Sequence, residues 1–195
     1  RAGRGGRDDG RGMNTTGAGS GDGAGWRESL HPAGLEDAEL LGQCELVRGR
    51  TSGPGGQHRN RVATEVVLNH RPTGLVARAG ERRSAETNKQ VAVGRMRYVL
   101  AVELRTGVPA ARTELWARRC GKNGRIACSA NHRDHATMVA EALDVIAACG
   151  WDTKRASIRL CCSQTQLVRM LADHAPALVK LNEEREGRGM RVLRG

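Results

Sequence analysis

The first half of the chain contains short apolar and β-branched runs that are separated by turn residues. Residues 44–47 and 64–70 have the composition of strands, and residues 75–79 predict a strand that returns beside the second. Residues 72–74, Pro-Thr-Gly, lie between the last two runs and predict a turn. Before the first strand, residues 35–41 predict a short helical turn with acidic residues at its N-terminal end.

A long helix is predicted to follow these strands. Ser84 is a favourable N-cap, and apolar residues then recur near helical spacing as far as about Arg105. They are Val91, Met96, Val99, Leu100 and Leu104. We therefore predict an α+β fold in which a small sheet carries one long packed helix, followed by a mainly helical C-terminal module. The core of the first unit is expected to lie before Arg105.

The remainder of the chain is predicted to be mainly helical. Residues 108–133 are irregular apart from a short strand at 125–129, and residues 135–148 predict an apolar helix that Gly150 closes. Residues 153–160, a break at 161–163 and residues 164–171 have the pattern of a helix-turn-helix, with Ser163 as the cap of its second helix.

The function of this last module stays open at the level of sequence. Its core is predicted to contain Leu167, Val168, Leu171, Leu178, Val179 and Leu181. DNA-binding motifs and three-helix packing units share this pattern. The sequence is therefore compatible with two roles for the module, either reading DNA or packing within the protein and docking on a partner. The glycine-interrupted segment 185–191 is expected to be mobile.

Charge and composition narrow the classes of partner. The 195 residues carry a formal net charge of +11, from 32 Lys and Arg against 21 Asp and Glu. This balance favours contacts with phosphate backbones. Phe is absent and Tyr98 is the only tyrosine, so stacking of bases on aromatic side chains is not expected to carry affinity.

Membrane, secretory and metal-dependent classes are not indicated. No apolar run approaches the roughly 18 residues of a membrane-spanning helix, and the N-terminal end has no apolar signal region, so we expect a cytoplasmic protein. The six cysteines are irregularly spaced and expected to be reduced. Cys120, Cys128, His132 and His135 lack the paired spacing of a zinc site, so neither a metal nor another cofactor is expected.

The segment from residue 50 to residue 60 is the most informative part of the chain. Gly53, Pro54, Gly55 and Gly56 cannot hold a regular helix or strand, so they predict an extended loop whose backbone can approach a ligand closely. Gln57 is expected at the tip of this loop. Basic residues flank it, namely Arg48, Arg50, Arg59 and Arg61. Such a loop is suited to entering a polyanionic pocket.

Four spaced motifs carry a family resemblance. Residues 50–60 fit Arg-x-Ser-Gly-x-Gly-Gly-Gln-His-x-Asn, and Thr64 supplies the small hydroxyl residue that follows. Residues 70–74 fit His-x-Pro-Thr-Gly, and residues 81–89 fit Glu-Arg-Ser-x-x-x-Asn-Lys with one extra arginine. The stretch from residue 50 to about residue 104 thus resembles the GGQ domain of class I peptide chain release factors and codon-independent ribosome-rescue hydrolases. Arg59 and Ala85 depart from the residues usual in that family.

The resemblance implies roles for individual residues. Gly55 and Gly56 would let the backbone enter the peptidyl-transferase centre, where the Gln57 backbone N–H would stabilise developing charge and its side chain would order a water. Ser84 and Asn88 are expected to be a helix cap and a helix-surface residue. Loop support or contact with rRNA or tRNA is implied for Arg50, Ser52, Gly53, His58, Arg59, Asn60, Arg61 and Thr64.

The resemblance also implies ribosome-dependent hydrolysis of the peptidyl-tRNA ester. Ribosome and peptidyl-tRNA would be the partners of a monomeric protein. About 50 residues precede the loop, too few for a codon-reading domain, so release without codon recognition is expected. The alternative is a non-catalytic basic ribosome- or nucleic-acid-binding protein in which the helical module acts.

Four segments are predicted along the chain. Residues 1–25, rich in Gly and Arg, are expected to be a disordered tail. Residues 26–106 would form the GGQ domain, and residues 107–150 a connecting segment and helix. Residues 151–195 would form the helix-turn-helix-like module.

Overall fold

The structure, a computed structural model, describes residues 31–49, 64–108 and 111–195. The predicted tail at residues 1–25 lies outside these ranges. Within them the chain forms three strands and seven α-helices, so the predicted α+β class is confirmed. The predicted division into four segments stays a prediction.

A three-stranded antiparallel sheet forms the first layer. Its strands are β1 (Cys44–Gly49), β2 (Glu65–His70) and β3 (Val76–Ala79), in the order β1-β2-β3. Leu68 lies opposite Leu46 on one side and Ala77 on the other. Because side chains alternate along a strand, one face of the sheet buries the even-numbered apolar residues of β2. The three strands predicted in the first half of the chain are confirmed.

One long helix covers this face of the sheet. Helix α2 (Ala85–Glu103) packs on β2 and β3 through Ala92, Met96 and Leu100, which are fully buried. Ser84 caps it as predicted, because its Oγ accepts a hydrogen bond from the Thr87 backbone N–H at 3.3 Å. Ahead of the sheet, α1 (Asp37–Gly42) confirms the predicted helical turn, and a 3-10 turn (Pro32–Gly34) that was not predicted precedes it.

The segment expected to be irregular contains a helix. Helix α3 (Glu114–Arg119) is capped by Thr113, and its buried Trp116 donates from Nε1 to the Leu160 carbonyl at 2.9 Å. This long-range contact fixes α3, which has no periodic pattern long enough to reveal it. The strand expected at 125–129 is wrong, since only one isolated bridge, Cys120 with Ile126, forms there.

Helix α4 (His135–Ala148) is confirmed and joins the core of the first unit. It packs on α2, and Met138, Leu143 and Ile146 are fully buried. The expectation that this core lies before Arg105 is therefore wrong. One continuous cluster of buried apolar residues runs from Ala33 to Leu181 in the described part of the chain.

Three further helices complete the fold, and the first two of them confirm the predicted helix-turn-helix pattern. They are α5 (Thr153–Arg159), α6 (Gln164–Ala172) and α7 (Ala175–Glu186), and Ser163 caps α6 through its Oγ. Val179, expected in the core, is 54% exposed. The buried residues of α7 are Ala177 and Leu181, one turn apart, and a residue two positions from Ala177 points to the opposite side of the helix.

The closing segment is held in place rather than free. Asn182 makes two hydrogen bonds with the backbone of Leu193, at 2.9 Å and 2.8 Å, and Arg185 donates to the Arg191 carbonyl. The expectation of mobility is therefore wrong here, because sequence reasoning gave these polar side chains no partner. Among the described helices, none combines the length and apolar character that crossing a membrane requires.

Candidate functional site

The loop that carries the motif lies outside the described residues. This applies to Gly55, Gly56 and Gln57 and to Arg50, Ser52, Gly53, His58, Arg59, Asn60 and Arg61, whose roles stay predictions. Thr64 is the one predicted site residue that the structure describes. The structure does describe the strand ends from which the loop departs and to which it returns. Their geometry determines how firmly the base of the loop is held.

The two ends of the loop are anchored on neighbouring strands. Gly49, the last residue of β1, lies opposite Glu65, the first residue of β2, in the antiparallel register. The chain therefore leaves the sheet and returns to it at the same end. β3 also ends at this side, since Ala79 lies opposite Val66. We call this end of the sheet, where the ends of the three strands lie side by side, the loop platform.

Asn88 ties this edge to the start of α2. Its Nδ2 donates to the Thr64 carbonyl at 2.6 Å and to the Arg82 carbonyl at 2.9 Å. Its Oδ1 accepts from the Arg82 backbone N–H at 2.9 Å. Asn88 is completely buried, so its expected place on the helix surface is wrong. One amide thus satisfies backbone groups of two segments that otherwise have no common partner.

Glu81 and Arg95 fix the turn that leads into α2. The Arg95 guanidinium lies 2.6 Å from Glu81 Oε1 and also donates to the Arg78 carbonyl at 2.6 Å. Glu81 accepts from the Gly80 backbone N–H at 2.9 Å. This backbone hydrogen bond, with the nearby guanidinium, lowers the pKa of Glu81. The turn is consequently stabilised while Glu81 is ionised.

The His-x-Pro-Thr-Gly motif is a structural turn at the far end of the sheet. His70 is 1% exposed; its Nε2 bonds Gln43 Oε1 at 2.9 Å and its Nδ1 bonds Thr73 Oγ1 at 2.8 Å. Gly74 has a φ of 71°, which glycine adopts without strain. Burial lowers the pKa of His70, which favours the neutral form of the ring. β2 therefore separates this motif from the loop by about six residues of strand, or roughly 17–20 Å.

The edge of the platform carries exposed positive charge. Arg48, near the end of β1, and Arg82 and Arg83, just before α2, are all exposed to solvent. The extra arginine of the third motif thus lies in this turn, beside the anchored base of the loop. Guanidinium groups in such positions can bind phosphate oxygens around a loop that enters RNA.

Three of the four residues considered for zinc have other partners. His135 Nδ1 bonds the Tyr98 hydroxyl at 2.9 Å, and His132 Nε2 bonds Arg119 at 2.8 Å. Cys120 Sγ faces the Cys161 carbonyl at 3.6 Å. Among the residues that the structure describes, no group of three or more His, Cys, Asp or Glu is arranged to hold a metal.

Comparison with known proteins gives the class to which this platform belongs. Residues 43–139 match the RF-1 domain, a range that runs from the start of β1 into the first turns of α4. The match covers just under half of the 195 residues. The chain is homologous to release-factor-like proteins and resembles those of the rescue type.

Three relatives show the extent of this likeness. A mitochondrial translation release factor in rescue from Danio rerio is 35% identical over 100 residues, which cover 47% of this chain and 59% of the relative. A mitochondrial peptide chain release factor-like protein from Saccharomyces cerevisiae is 40% identical over 81 residues, covering 40% and 48%. Peptide chain release factor 2 from Acidovorax sp. is 46% identical over 48 residues, covering 25% and 13%.

The matched regions span only part of these relatives, at most 59% of their length. Two of the relatives are mitochondrial by name, so the predicted cytoplasmic location stays a prediction.

Proposed function

We propose that the protein hydrolyses the ester of peptidyl-tRNA on the ribosome and frees the nascent chain without reading a codon. The match to the RF-1 domain and the intact Gly55-Gly56-Gln57 tripeptide support the reaction. The likeness to factors named for rescue supports independence from a codon.

The reaction needs a water at the ester carbonyl and a donor for the charge that develops there. The water oxygen bonds to the carbonyl carbon, the bond from that carbon to the ribose oxygen of the tRNA breaks, and a proton passes to the ribose oxygen. In our proposal the Gln57 backbone N–H stabilises the oxyanion and its side chain orders the water. Gly55 and Gly56 keep the backbone free of side chains where it approaches rRNA.

The hydrogen bonds of Asn88 are the observation that carries this proposal. A loop that delivers one glutamine to a distant reaction centre needs a base that does not shift. The buried amide joins Thr64, at the returning end of the loop, to Arg82 at the start of α2. Burying an amide is costly unless all its partners are in place, so these three hydrogen bonds hold the returning end of the loop against the start of α2.

Peptide release from ribosomes that carry sense, stop or no codon in the A site tests the proposal. Gln57→Ala and Gly56→Ala should abolish release from all three. Gln90→Ala, at an exposed position of α2, and Gly94→Ala, where an added methyl meets nothing within 4 Å, are the matched controls and should release at the parent rate. Release by the loop variants at the parent rate would end the catalytic proposal. A strong preference for stop codons would end codon independence.

A further inference from the structure

A groove lies between α6 and the closing segment of the chain. We name it the C-terminal groove; its volume is about 480 Å³. It is lined by Gln164, Thr165, Val168, Arg169, Leu193, Arg194 and Gly195. Val168 and Leu193 supply its apolar surface, and the polar side chains belong to the first turns of α6 and to Arg194.

The groove is preformed because the segment that makes one wall is pinned to the helices. Asn182 holds Leu193 through both its amide oxygen and its amide nitrogen. Arg185 donates to the Arg191 carbonyl and, at 2.6 Å, to the Trp151 carbonyl. Arg194 is therefore presented next to a fixed backbone, opposite Arg169, instead of on a free tail.

The side chains of the groove fit an anion with several oxygens. They include two guanidinium groups, one hydroxyl and no side-chain carboxylate, whereas the amide nitrogen of Gln164 donates to Thr153 Oγ1 at 2.8 Å. Within the described part of the chain, neither Arg169 nor Arg194 uses its guanidinium in an ion pair or hydrogen bond. Arginine and threonine are side chains that bind the phosphate oxygens of nucleic acids. The lining contains no aromatic ring on which a base could stack.

We propose that the C-terminal groove binds the phosphate backbone of RNA and so helps to hold the protein on the ribosome. The choice of RNA among polyanions rests on the proposed function. Contacts with phosphates, made without stacking on bases, give binding that depends on salt and tolerates changes of sequence. Arg169 and Arg194 supply the charge, and the pinned segment fixes their spacing.

The same geometry disfavours α6 as a reader of DNA bases. A helix with its side chains is about 10–12 Å across, and the major groove of B-DNA is about 12 Å wide. The closing segment lies along the flank of α6 that contains Gln164, Thr165 and Val168. Helix and segment together exceed the width of the groove, so α6 cannot enter unless the segment leaves its place.

Fluorescence anisotropy of the full-length chain tests the proposal, with a labelled RNA hairpin and a DNA duplex of equal length. Arg169→Gln with Arg194→Gln should weaken RNA binding about a hundredfold, since each of the two lost contacts to a charged partner corresponds to about tenfold. The dependence of log Kd on log salt should become shallower by about 1.5 units. Arg118→Gln with Arg125→Gln removes the same charge from exposed positions outside the groove and should have a clearly smaller effect.

A variant without a change of charge separates the shape of the groove from general attraction. Asn182→Ala releases Leu193 and should weaken RNA binding while the net charge stays the same. Equal binding by parent, double-arginine and Asn182→Ala proteins would overturn the proposal. Tight binding to one particular DNA duplex, abolished by Gln164→Ala, would overturn it in favour of DNA reading.

The assay also distinguishes this proposal from the catalytic one. Gln57→Ala should bind the RNA hairpin like the parent, whereas the double-arginine variant should need more protein to reach the parent rate of peptide release. If Gln57→Ala releases peptide normally, the catalytic proposal fails while the anisotropy result still decides the groove. If the double-arginine variant binds RNA like the parent, the groove proposal fails whatever its release activity.

Discussion

Replacing Asn88 by alanine removes the brace between the base of the loop and α2. The side chain is completely buried and makes three hydrogen bonds to backbone groups of Thr64 and Arg82. Alanine leaves one N–H and two carbonyls without this partner. The substitution changes neither the charge of the protein nor its apolar packing to any large extent, so its effect reports on the brace.

The size of the effect follows from these bonds. A hydrogen bond contributes about 0.5–1.5 kcal/mol net, and a buried group left unpaired costs about 1–3 kcal/mol. Three such bonds amount to about 3 kcal/mol. Alanine is favoured over asparagine inside a helix by up to about 0.7 kcal/mol, which offsets a small part. The free energy of unfolding should therefore fall by about 2–3 kcal/mol.

Urea denaturation and peptide release measure the two consequences separately. Thr87→Ala, at an exposed neighbouring position of α2, is the control and should change the free energy of unfolding by less than about 0.5 kcal/mol. The release rate of folded Asn88→Ala protein should fall at saturating ribosome concentration, because the loop base is no longer fixed. A loss of stability below about 0.5 kcal/mol would refute the energetic reasoning. A release rate equal to that of Thr87→Ala would show that the brace has no part in positioning the loop.

Three further predictions concern other parts of the fold. Burial lowers the pKa of His31, His70, His135 and His174, so the unfolded chain gains protons first as pH falls through about 6.5. The urea midpoint should therefore decrease steadily from pH 7.5 to pH 5.5, and a midpoint that rises would contradict these directions. Trp116→Phe leaves the Leu160 carbonyl without its donor and should lower the free energy of unfolding by about 1–3 kcal/mol. A loss below about 0.5 kcal/mol in urea denaturation would show that the indole bond contributes little. Gly124→Ala places a Cβ 3.4 Å from the Cys161 carbonyl at a φ of 72° and should lower the melting temperature. Gly42→Ala, where the added methyl meets nothing within 4 Å, should leave the melting temperature nearly unchanged. A larger decrease for Gly42→Ala than for Gly124→Ala would contradict the prediction that alanine is strained at residue 124.

Local signals in the sequence were sufficient to predict most of the helices and strands. The serine caps at Ser84 and Ser163 depend on a hydroxyl and an amide three residues away, so the chain order alone reveals them. The strands and their turn were predicted because β-branched runs and a Pro-Thr-Gly turn are also local features. The family motifs identified the loop, whose residues 50–63 lie outside the described ranges.

Features that depend on distant partners were missed. Asn88 belongs to a recognised motif, yet its partner Thr64 lies 24 residues earlier, and a polar residue in a helix ordinarily predicts exposure. Two buried acids of α4 were missed for the same reason. Glu141 accepts from Thr113 N–H and its hydroxyl, and Asp144 accepts likewise from Thr106. The apolar pattern of α4 did not predict that these two carboxylates bind the segment that follows α2.

The continuity of the core bears on how the groove and the loop work together. The RF-1 match ends at residue 139, but α4 remains buried to Ile146 and packs on α2, α5, α6 and α7. Tyr98 of α2 bonds His135 of α4 and stacks on His174, just before α7, with ring centroids 4.0 Å apart. The same helix α2 begins at the loop platform, where Asn88 holds Thr64. The loop platform and the C-terminal groove are therefore connected through packed helices that share one buried core.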